Sequence, residues 1–385
     1  MPKNKQKSLK IARYIPVLTL CLELLSSCQG GSEKIPSLRE ITLKPHFAES
    51  GEFVDSEFTD FEIISLENKP ECMLTDIKKL VATDSCIYVF DAAIPPRVLA
   101  FSHDGRFKSE IGSRGHAKGE YQMILNIAAN SNGDTVAIIG CPDINLYSAD
   151  GRYNGSLSID NSNGVEDMIF TDRGVYLGYF HRQAQSMLSL YDAGSMKHVS
   201  DFVETPINPI GEPLGVNNGQ ILQTDGNNVY CLDVLNSCFY VLDKHAHSKV
   251  TRYKIDYDKM LSENEIRENP ATEASRIVSY IAHDGIVRGL IEHSKGYYDF
   301  KFALHGQTIE FTNHMDWDYS FDCCHSNRLY KAVPANTVIE YLDKNKMYME
   351  PVRKLLGKSL SDIAGQVAPT DNYYIIKLLS DKNLK

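Results

Sequence analysis

Short apolar segments alternate with polar turns along most of this chain, and the pattern recurs at intervals of roughly 40 to 55 residues. In the clearest copy, two apolar segments at 87–91 and 98–101 precede an Asp-Gly corner at Asp104, which leads into 107–111. The next copy repeats this order around an Asp-Gly corner at Asp150. Segments of this length, bounded by turn residues and rich in β-branched and aromatic side chains, are typical of β-strands. The pattern therefore predicts a series of small antiparallel sheets.

Each copy provides about four strands, and a sheet of that size cannot bury both faces alone. Copies must pack side by side around an axis until a ring closes. The sequence therefore predicts an all-β fold, a six-bladed β-propeller of four-stranded antiparallel blades. The segments assigned to blades three to six are 165–203, 219–255, 286–311, and 329–332 together with 373–378.

Residues 58–66 are predicted to complete the last blade from the N-terminal side, which would join both chain ends in one sheet and remove two exposed edges. Two segments interrupt the strand pattern and are predicted to be helical insertions, near 259–280 and 350–367. The second has apolar residues at three- and four-residue steps, and we expect its apolar stripe to pack on the propeller.

The N-terminus has the features of an export signal. A basic segment at 1–14 precedes an apolar run at 15–25, which is too short to span a bilayer. Leu25-Ser26-Ser27-Cys28 then resembles a bacterial lipobox, whose cysteine is lipidated before the leader is removed. We expect residues 1–27 to be a lipoprotein signal peptide, Cys28 to carry the lipid, 28–55 to be a flexible tether, and 56–385 to form the propeller. The alternative is an ordinary signal peptide with an incidental cysteine, which Glu23 favours because it interrupts the apolar run.

The charge and the cysteine content of the chain limit the kinds of partner that we expect it to bind. Without residues 1–27 the chain has 35 basic and 49 acidic residues, a net charge of −14 that disfavours nucleic acid as a partner. Seven cysteines follow Cys28, with no Cys-x-x-Cys spacing, so zinc is not predicted. Most lie in or beside apolar segments, where cysteine behaves as a small buried hydrophobe. The sequence does not decide whether Cys231 and Cys238 form a single disulfide bridge.

Several motifs between residues 63 and 159 resemble a known family. They are Ile64-Ser65-Leu66-Glu67, the strand at 87–91, the two Asp-Gly-Arg corners, and Ile-Gly-Ser-Arg-Gly-His-Ala-Lys-Gly-Glu-Tyr at 111–121. The chain is similar in these motifs to six-bladed β-propeller lipoproteins of Bacteroidetes, which are related to NHL-repeat propellers. The resemblance implies the fold and a place in the cell envelope, and it implies no particular reaction.

No catalytic constellation is visible. The glycine-rich run at 112–119 lies between strands, where glycines suit a tight crossover, and it lacks the following helix of a phosphate loop. The histidines occupy dissimilar places in their blades and do not predict a ring of metal ligands. The Asp-Gly corners are interpreted as tight turns, because Asp and Gly accept the positive φ values that such turns require. The sequence therefore predicts no catalytic residue, no metal and no cofactor.

One aromatic and acidic segment is a candidate ligand contact. Asp316, Trp317, Asp318 and Tyr319 lie in the loop before the last blade and contain the only tryptophan of the chain. Aromatic rings beside polar groups suit a sugar or a peptide. The alternative is that this loop packs over the edge of its blade.

Two functions follow as hypotheses. The first is a lipid-anchored, non-catalytic binding or scaffold protein of the cell envelope, attached to the membrane and contacting a carbohydrate, peptide or protein. The periplasmic side is favoured over the cell surface because the tether begins with few acidic residues, only Glu33 among 29–34. The alternative is an extracytoplasmic enzyme of the lyase or lactonase type with a divalent metal in the central channel.

Overall fold

The computed structural model of the protein describes residues 37–47, 58–140, 143–157, 164–179, 186–204, 220–233, 238–243, 249–255, 276–293, 296–313 and 321–380. Within these ranges the chain forms 25 strands, two α-helices and one 3-10 turn at Met347–Met349. The predicted all-β fold is confirmed. None of the helices in the described ranges has the length and apolar character needed to cross a membrane.

In chain order the elements are β1 (Ser37–Phe47), β2 (Phe58–Ser65), β3 (Ile77–Ala82), β4 (Ile87–Asp91), β5 (Arg97–Phe101), β6 (Phe107–Glu110), β7 (Ile124–Ala129), β8 (Thr135–Gly140), β9 (Ile144–Ser148), β10 (Tyr153–Leu157), β11 (Val165–Thr171), β12 (Gly174–Tyr179), β13 (Ser186–Tyr191), β14 (His198–Glu204), β15 (Leu222–Thr224), β16 (Asn228–Asp233), β17 (Cys238–Asp243), β18 (Lys249–Ile255), β19 (Arg276–His283), β20 (Ile286–His293), β21 (Gly296–Ala303), β22 (Thr308–Asn313), β23 (Cys323–His325), β24 (Arg328–Val333), α1 (Ala335–Leu342), α2 (Glu350–Ile363) and β25 (Tyr374–Ser380).

The strands form four separate four-stranded sheets and one nine-stranded sheet. The nine-stranded sheet consists of two four-stranded antiparallel groups joined by β1. We number the six antiparallel groups as sheet one (β3 to β6), sheet two (β7 to β10), sheet three (β11 to β14), sheet four (β15 to β18), sheet five (β19 to β22) and sheet six (β23, β24, β25 and β2). The first strand of each sheet contacts the first strand of the next, and β23 of sheet six contacts β3 of sheet one.

Apolar side chains fill the interfaces between neighbouring sheets. Strand β4 shows how: Ile87 and Val89 pack in the cluster shared with sheet six, and Tyr88 and Phe90 pack in the cluster shared with sheet two. Successive side chains of a strand point to opposite faces, so a strand buried on both faces is apolar throughout. This explains why the middle strands read as continuous apolar runs in the sequence.

The predicted pairing of residues 58–66 with the C-terminal strand is confirmed. β2 pairs antiparallel with the C-terminal β25, with Ile64 opposite Ile375 and Ser65 opposite Tyr374. Helix α2 falls within the insertion predicted at 350–367, and its kink lies at Gly357, which has non-helical backbone angles. The apolar face of α2 packs with sheet six, as expected, and the hydroxyl of Ser359 donates to the carbonyl oxygen of Phe61 on β2.

The tether predicted at 28–55 is wrong over 37–47, which form β1. Residues 37–43 of β1 pair in parallel with β18, and residues 44–47 pair in parallel with β22, so β1 joins sheets four and five. Its buried Ile41 and Leu43 alternate with exposed Thr42 and Lys44. A single strand that pairs in parallel with distant partners has no turn residues beside it, so the sequence pattern did not indicate a strand here. The polar residues that precede it favoured a tether instead. The rest of 28–55 lies outside the described residues.

The helical insertion predicted near 259–280 is wrong at its C-terminal end. Residues 276–280 begin β19, which pairs with β20 through a turn at Asp284 and Gly285. A bulge between Ile277 and Ser279 shifts the alternation of this strand, and the shifted apolar spacing resembled a helical period. Residues 256–275 lie outside the described residues.

The disulfide between Cys231 and Cys238 that the sequence left undecided does not form. Cys231 and Cys238 are free and buried, and they lie opposite Tyr240 and Asp233 rather than opposite each other. Five of the six described cysteines are buried, as expected. The Asp-Gly corners are confirmed as turns, because the glycine of each has a positive φ.

We predict that Gly105→Ala destabilises the protein more than Gly226→Ala. The two glycines have φ values of +85° and +86°, where an L-residue costs roughly 1–2 kcal/mol. A Cβ at Gly105 would also lie 2.0 Å from the carbonyl oxygen of Ser65 at the end of β2, whereas at Gly226 it meets nothing within 4 Å. Urea denaturation should give a loss of about 1 kcal/mol for Gly226→Ala and at least about 2 kcal/mol for Gly105→Ala. Equal losses would contradict the close packing of β2 on this turn.

Candidate functional site

A cavity of about 410 Å³ lies where first strands of the sheets turn into second strands. Its walls come from sheets one, two, three, four and six, and this volume is typical of small-molecule sites. The main lining segments are 79–82, 127–131, 168–173, 222–229 and 323–327.

Two other grooves are less suited to binding. They have volumes of about 460 and 430 Å³ and run beside α2, near Ser359 and near Asp371. None of the described residues that line them is a buried charged side chain. The cavity at the first strands, in contrast, is lined by Lys79, a lysine whose side chain is 7% exposed.

Bulges place polar residues on the first strands. In sheets one, two, three and five the register of the first strand shifts by one residue, and a buried polar residue follows the shift each time. A bulge re-aims the side chain that follows it, which lets a strand with apolar faces carry a polar group elsewhere. The residues placed in this way are Lys79, Asn126, Asp167 and Ser279.

The carboxylate of Asp167 connects four sheets. Its Oδ1 accepts hydrogen bonds from Lys79 Nζ at 2.7 Å, Asn126 Nδ2 at 3.1 Å and the backbone N–H of Met168 at 2.9 Å. Its Oδ2 accepts from the backbone N–H of Leu222 at 2.9 Å. The donors lie on β3, β7, β11 and β15, so one buried carboxylate joins sheets one to four. We call these five residues the Asp167 hub.

Two glutamines extend this connection to sheets five and six. Gln220 Nε2 donates to the backbone carbonyl of Asp322, just before β23. Gln223 Nε2 donates to the side-chain oxygen of Gln220 and, at 3.3 Å, to the carbonyl of Tyr280 on β19. Polar contacts among first strands and the residues before them thus reach all six sheets.

The rim of the cavity is rich in amides and has two carboxylates, Asp172 and Asp225. Asn130, Asn227 and Asn327 line it, and such side chains both donate and accept hydrogen bonds. The carboxylate of Asp225 accepts from the hydroxyl of Tyr230 at 2.6 Å and from three backbone N–H groups. The Asp225 carboxylate therefore stabilises its own turn and also the turn at Gly285.

The thiols of the cavity are poor nucleophiles. Cys323 and Cys324 both line it, and desolvation raises the pKa of Cys324 to about 12 and that of Cys323 well above its usual range. Both stay protonated at neutral pH, and the thiolate is the reactive form. Among the residues that the structure describes, no three His, Cys, Asp or Glu side chains converge as metal ligands. The alternative of a metal-dependent lyase or lactonase stays a prediction from the sequence.

The site residues predicted from sequence lie outside the described part of the chain. They are Cys28 and the loop segment Asp316, Trp317, Asp318 and Tyr319. The loop precedes Phe321, which is buried, and Asp322, whose carboxylate accepts from the backbone N–H of Ala332 at 2.6 Å.

Sequence reasoning missed the Asp167 hub. A signal was available, since Lys79 and Asp167 are charged residues inside apolar first strands, where a strand buried on both faces should contain none. The contact between the two side chains could not be inferred from the sequence, because the residues lie 88 positions apart.

The chain belongs to the family described as Domain of unknown function (DUF4934), whose profile matches residues 38–378. No curated protein matches the chain.

One similar solved structure supports the fold. A Bacteroides fragilis protein entitled "Putative exported protein" has 11% identity and a TM-score of 0.64, over 90% of this chain and 100% of that one. PorZ, an essential surface component of the type-IX secretion system of Porphyromonas gingivalis, has 12% identity and a TM-score of 0.37, over 67% of this chain and 29% of its own. Hydrazine synthase of Kuenenia stuttgartiensis has 8% identity and a TM-score of 0.43, over 68% and 76%. The latter two scores are too low to carry an argument.

We predict that Lys79 and Asp167 are strongly coupled. Removing one partner of a buried ion pair leaves the other charge uncompensated, so Lys79→Met and Asp167→Asn should each lower the free energy of unfolding by about 3–5 kcal/mol. The double variant has neither charge and should lose less than the sum of the single losses, by about 2 kcal/mol or more. Urea denaturation of the four proteins gives this coupling energy.

The control is Lys69→Met, which removes an exposed lysine paired with Glu67 and should change stability little. Additive losses for Lys79→Met and Asp167→Asn would contradict the Asp167 hub.

Proposed function

We propose that this chain is a lipid-anchored, non-catalytic binding protein of the cell envelope, and that its ligand enters the cavity at the ends of the first strands. The observation that carries the proposal is the cavity itself: about 410 Å³ of space lined by a buried lysine, by apolar side chains and by an amide-rich rim. Binding pockets for small molecules combine a mostly apolar lining with a few placed polar groups in this way.

We further propose that the six sheets close into a six-bladed propeller of the NHL-repeat kind. Three observations support this closure. The first strands contact one another in a cyclic order that ends at β23 and β3, each neighbouring pair of sheets shares apolar side chains, and β2 joins the N-terminal side of the chain to β25. In such a ring the first strands line the central channel, and the cavity would be one mouth of it.

Export and anchoring are supported by the N-terminal sequence. The basic segment, the short apolar run and Leu25-Ser26-Ser27-Cys28 are arranged as in a lipoprotein leader. The Bacteroides fragilis protein of similar fold is described as an exported protein, which agrees with export of this chain. The periplasmic side is the proposed orientation.

The cavity proposal predicts that a bulky rim residue blocks binding. Asn227 lines the cavity and is exposed, and only its backbone N–H is used in the turn, so Asn227→Trp should narrow the mouth and leave the fold intact. Thermal unfolding with millimolar galacturonate, N-acetylglucosamine or N-acetyl-alanyl-alanine should show a rise in Tm for at least one probe, because a ligand that binds only the folded state stabilises it. Asn227→Trp should abolish that rise.

The matched control is Asn154→Trp, the same change at an exposed position of β10 that does not line the cavity. This variant should respond as the unmodified protein does. A wild-type protein that responds to no probe, or a response that Asn227→Trp leaves unchanged, would contradict binding in the cavity.

The anchor is tested at the predicted lipidation site. When the full chain is expressed with its leader in a bacterial host, it should fractionate with membranes, and Cys28→Ala should move to the soluble fraction because acyl chains provide the membrane affinity. The matched control is Cys21→Ala, which lies inside the predicted signal peptide and should stay with the membranes. Membrane association of Cys28→Ala at the wild-type level would reject the anchor.

A further inference from the structure

The outer strands of sheets four and five carry positive charge in a protein that is acidic as a whole. Strands β18, β1 and β22 lie side by side there. They contain five basic side chains and two acidic ones, a net charge of +3, whereas the chain after residue 27 has a net charge of −14. The basic side chains are Arg39, Lys44, Lys249, Arg252 and Lys254, and we call these five residues the basic patch. A region of one sign attracts surfaces of the opposite sign.

Most of this positive charge is not neutralised by neighbouring acids. Glu40 pairs with Arg252 at 3.3 Å, and Glu310 pairs with Lys301 of the adjacent β21 at 3.6 Å. Within the described ranges, no acid forms an ion pair with the other four cations of the basic patch. A further acid, Asp243, is exposed at the end of the neighbouring β17. The outer strands keep an excess of positive charge even when this acid is counted.

One face of β1 combines these cations with an exposed apolar side chain. Strands β1 and β18 pair in parallel so that even-numbered residues of both strands share one face. Ile41 and Leu43 pack in the core on the other face, so Leu38, Lys44 and Lys254 point away from that cluster. Leu38 is 58% exposed. Basic side chains beside an exposed leucine are typical of surfaces that contact the interfacial region of a bilayer.

The position of the proposed anchor in the sequence brings a membrane within reach of this surface. Cys28, the proposed lipidation site, precedes Ser37 at the start of β1 by nine residues. A chain of nine residues spans at most about 30 Å. Arg39 and Lys249 are exposed at the same end of the paired strands. Attraction between exposed charges and anionic lipid acts over about 10 Å at 0.1 M salt, so a short connection to the bilayer makes it effective.

We propose that the basic patch lies against the headgroups of anionic phospholipids in the membrane that holds the lipid anchor. This proposal rests on the proposed anchor and adds the protein surface that faces the bilayer. The lipid supplies most of the affinity, and the patch sets which side of the folded chain is turned towards the membrane.

Lysine labelling of the lipidated protein tests the proposal. The protein is inserted into vesicles of phosphatidylcholine alone or of equal parts phosphatidylcholine and phosphatidylglycerol, and acetylation by an amine-reactive reagent is followed by mass spectrometry. With phosphatidylglycerol, Lys44, Lys249 and Lys254 should be labelled five-fold or more slowly, whereas Lys118 and Lys197, which are exposed outside the basic patch, should be labelled at unchanged rates. The difference should disappear in 0.5 M NaCl because salt screens the attraction.

The outcomes separate this contact from the anchor. Protein that floats with both kinds of vesicle but is labelled equally in both overturns the contact and leaves the anchor standing. Equal protection of all five lysines also overturns it, because no particular surface would then face the lipid. Protein that floats with neither kind of vesicle contradicts the anchor and this proposal together.

A pair of charge-matched variants assigns the effect to the basic patch. Lys44→Gln with Lys254→Gln removes two cations from the patch, and the protection of Lys249 should fall to two-fold or less. Lys118→Gln with Lys197→Gln removes the same charge elsewhere and should leave Lys249 protected five-fold. Equal protection of Lys249 in the two double variants overturns the role of the patch. Should the first variant fail to fold by circular dichroism, the labelling pattern of the wild type decides the proposal.

Discussion

The buried carboxylate of Asp167 is the interaction on which the arrangement of the sheets depends. Apolar packing between neighbouring sheets provides most of the burial, but it is non-directional and tolerates sliding. Hydrogen bonds to a charged group have fixed lengths and angles, so four donors from four sheets set the positions of those sheets relative to one carboxylate. Gln220 and Gln223 carry the same kind of restraint to sheets five and six.

The two N-terminal strands bind sheets that the rest of the chain leaves open. β2 is the outermost strand of sheet six, and β1 lies between the outer strands of sheets four and five. An unpaired outer strand exposes a row of N–H and C=O groups that invites aggregation. β1 therefore covers the outer strands of sheets four and five, whereas β2 adds the fourth strand of sheet six and is itself its outer strand.

Structure and proposed function meet at one side chain. Lys79 pairs with Asp167 and is also one of the residues that line the cavity, so a ligand bound there would lie beside the ion pair that joins the sheets. An apolar pair of similar volume is often at least as stable as a buried ion pair.

Local patterns in the sequence determined most of the strands, the Asp-Gly corners, the strand at 58–66 and the helix within 350–367, because alternation and turn chemistry depend on neighbouring residues. Tertiary structure alone decided that 37–47 form a strand, that 276–280 begin β19, and that Lys79 meets Asp167. A parallel partner leaves no turn in the sequence, and a bulge changes the face on which a residue lies without changing composition. The cavity depends on five sheets brought together from distant parts of the chain, and no local pattern contains that information.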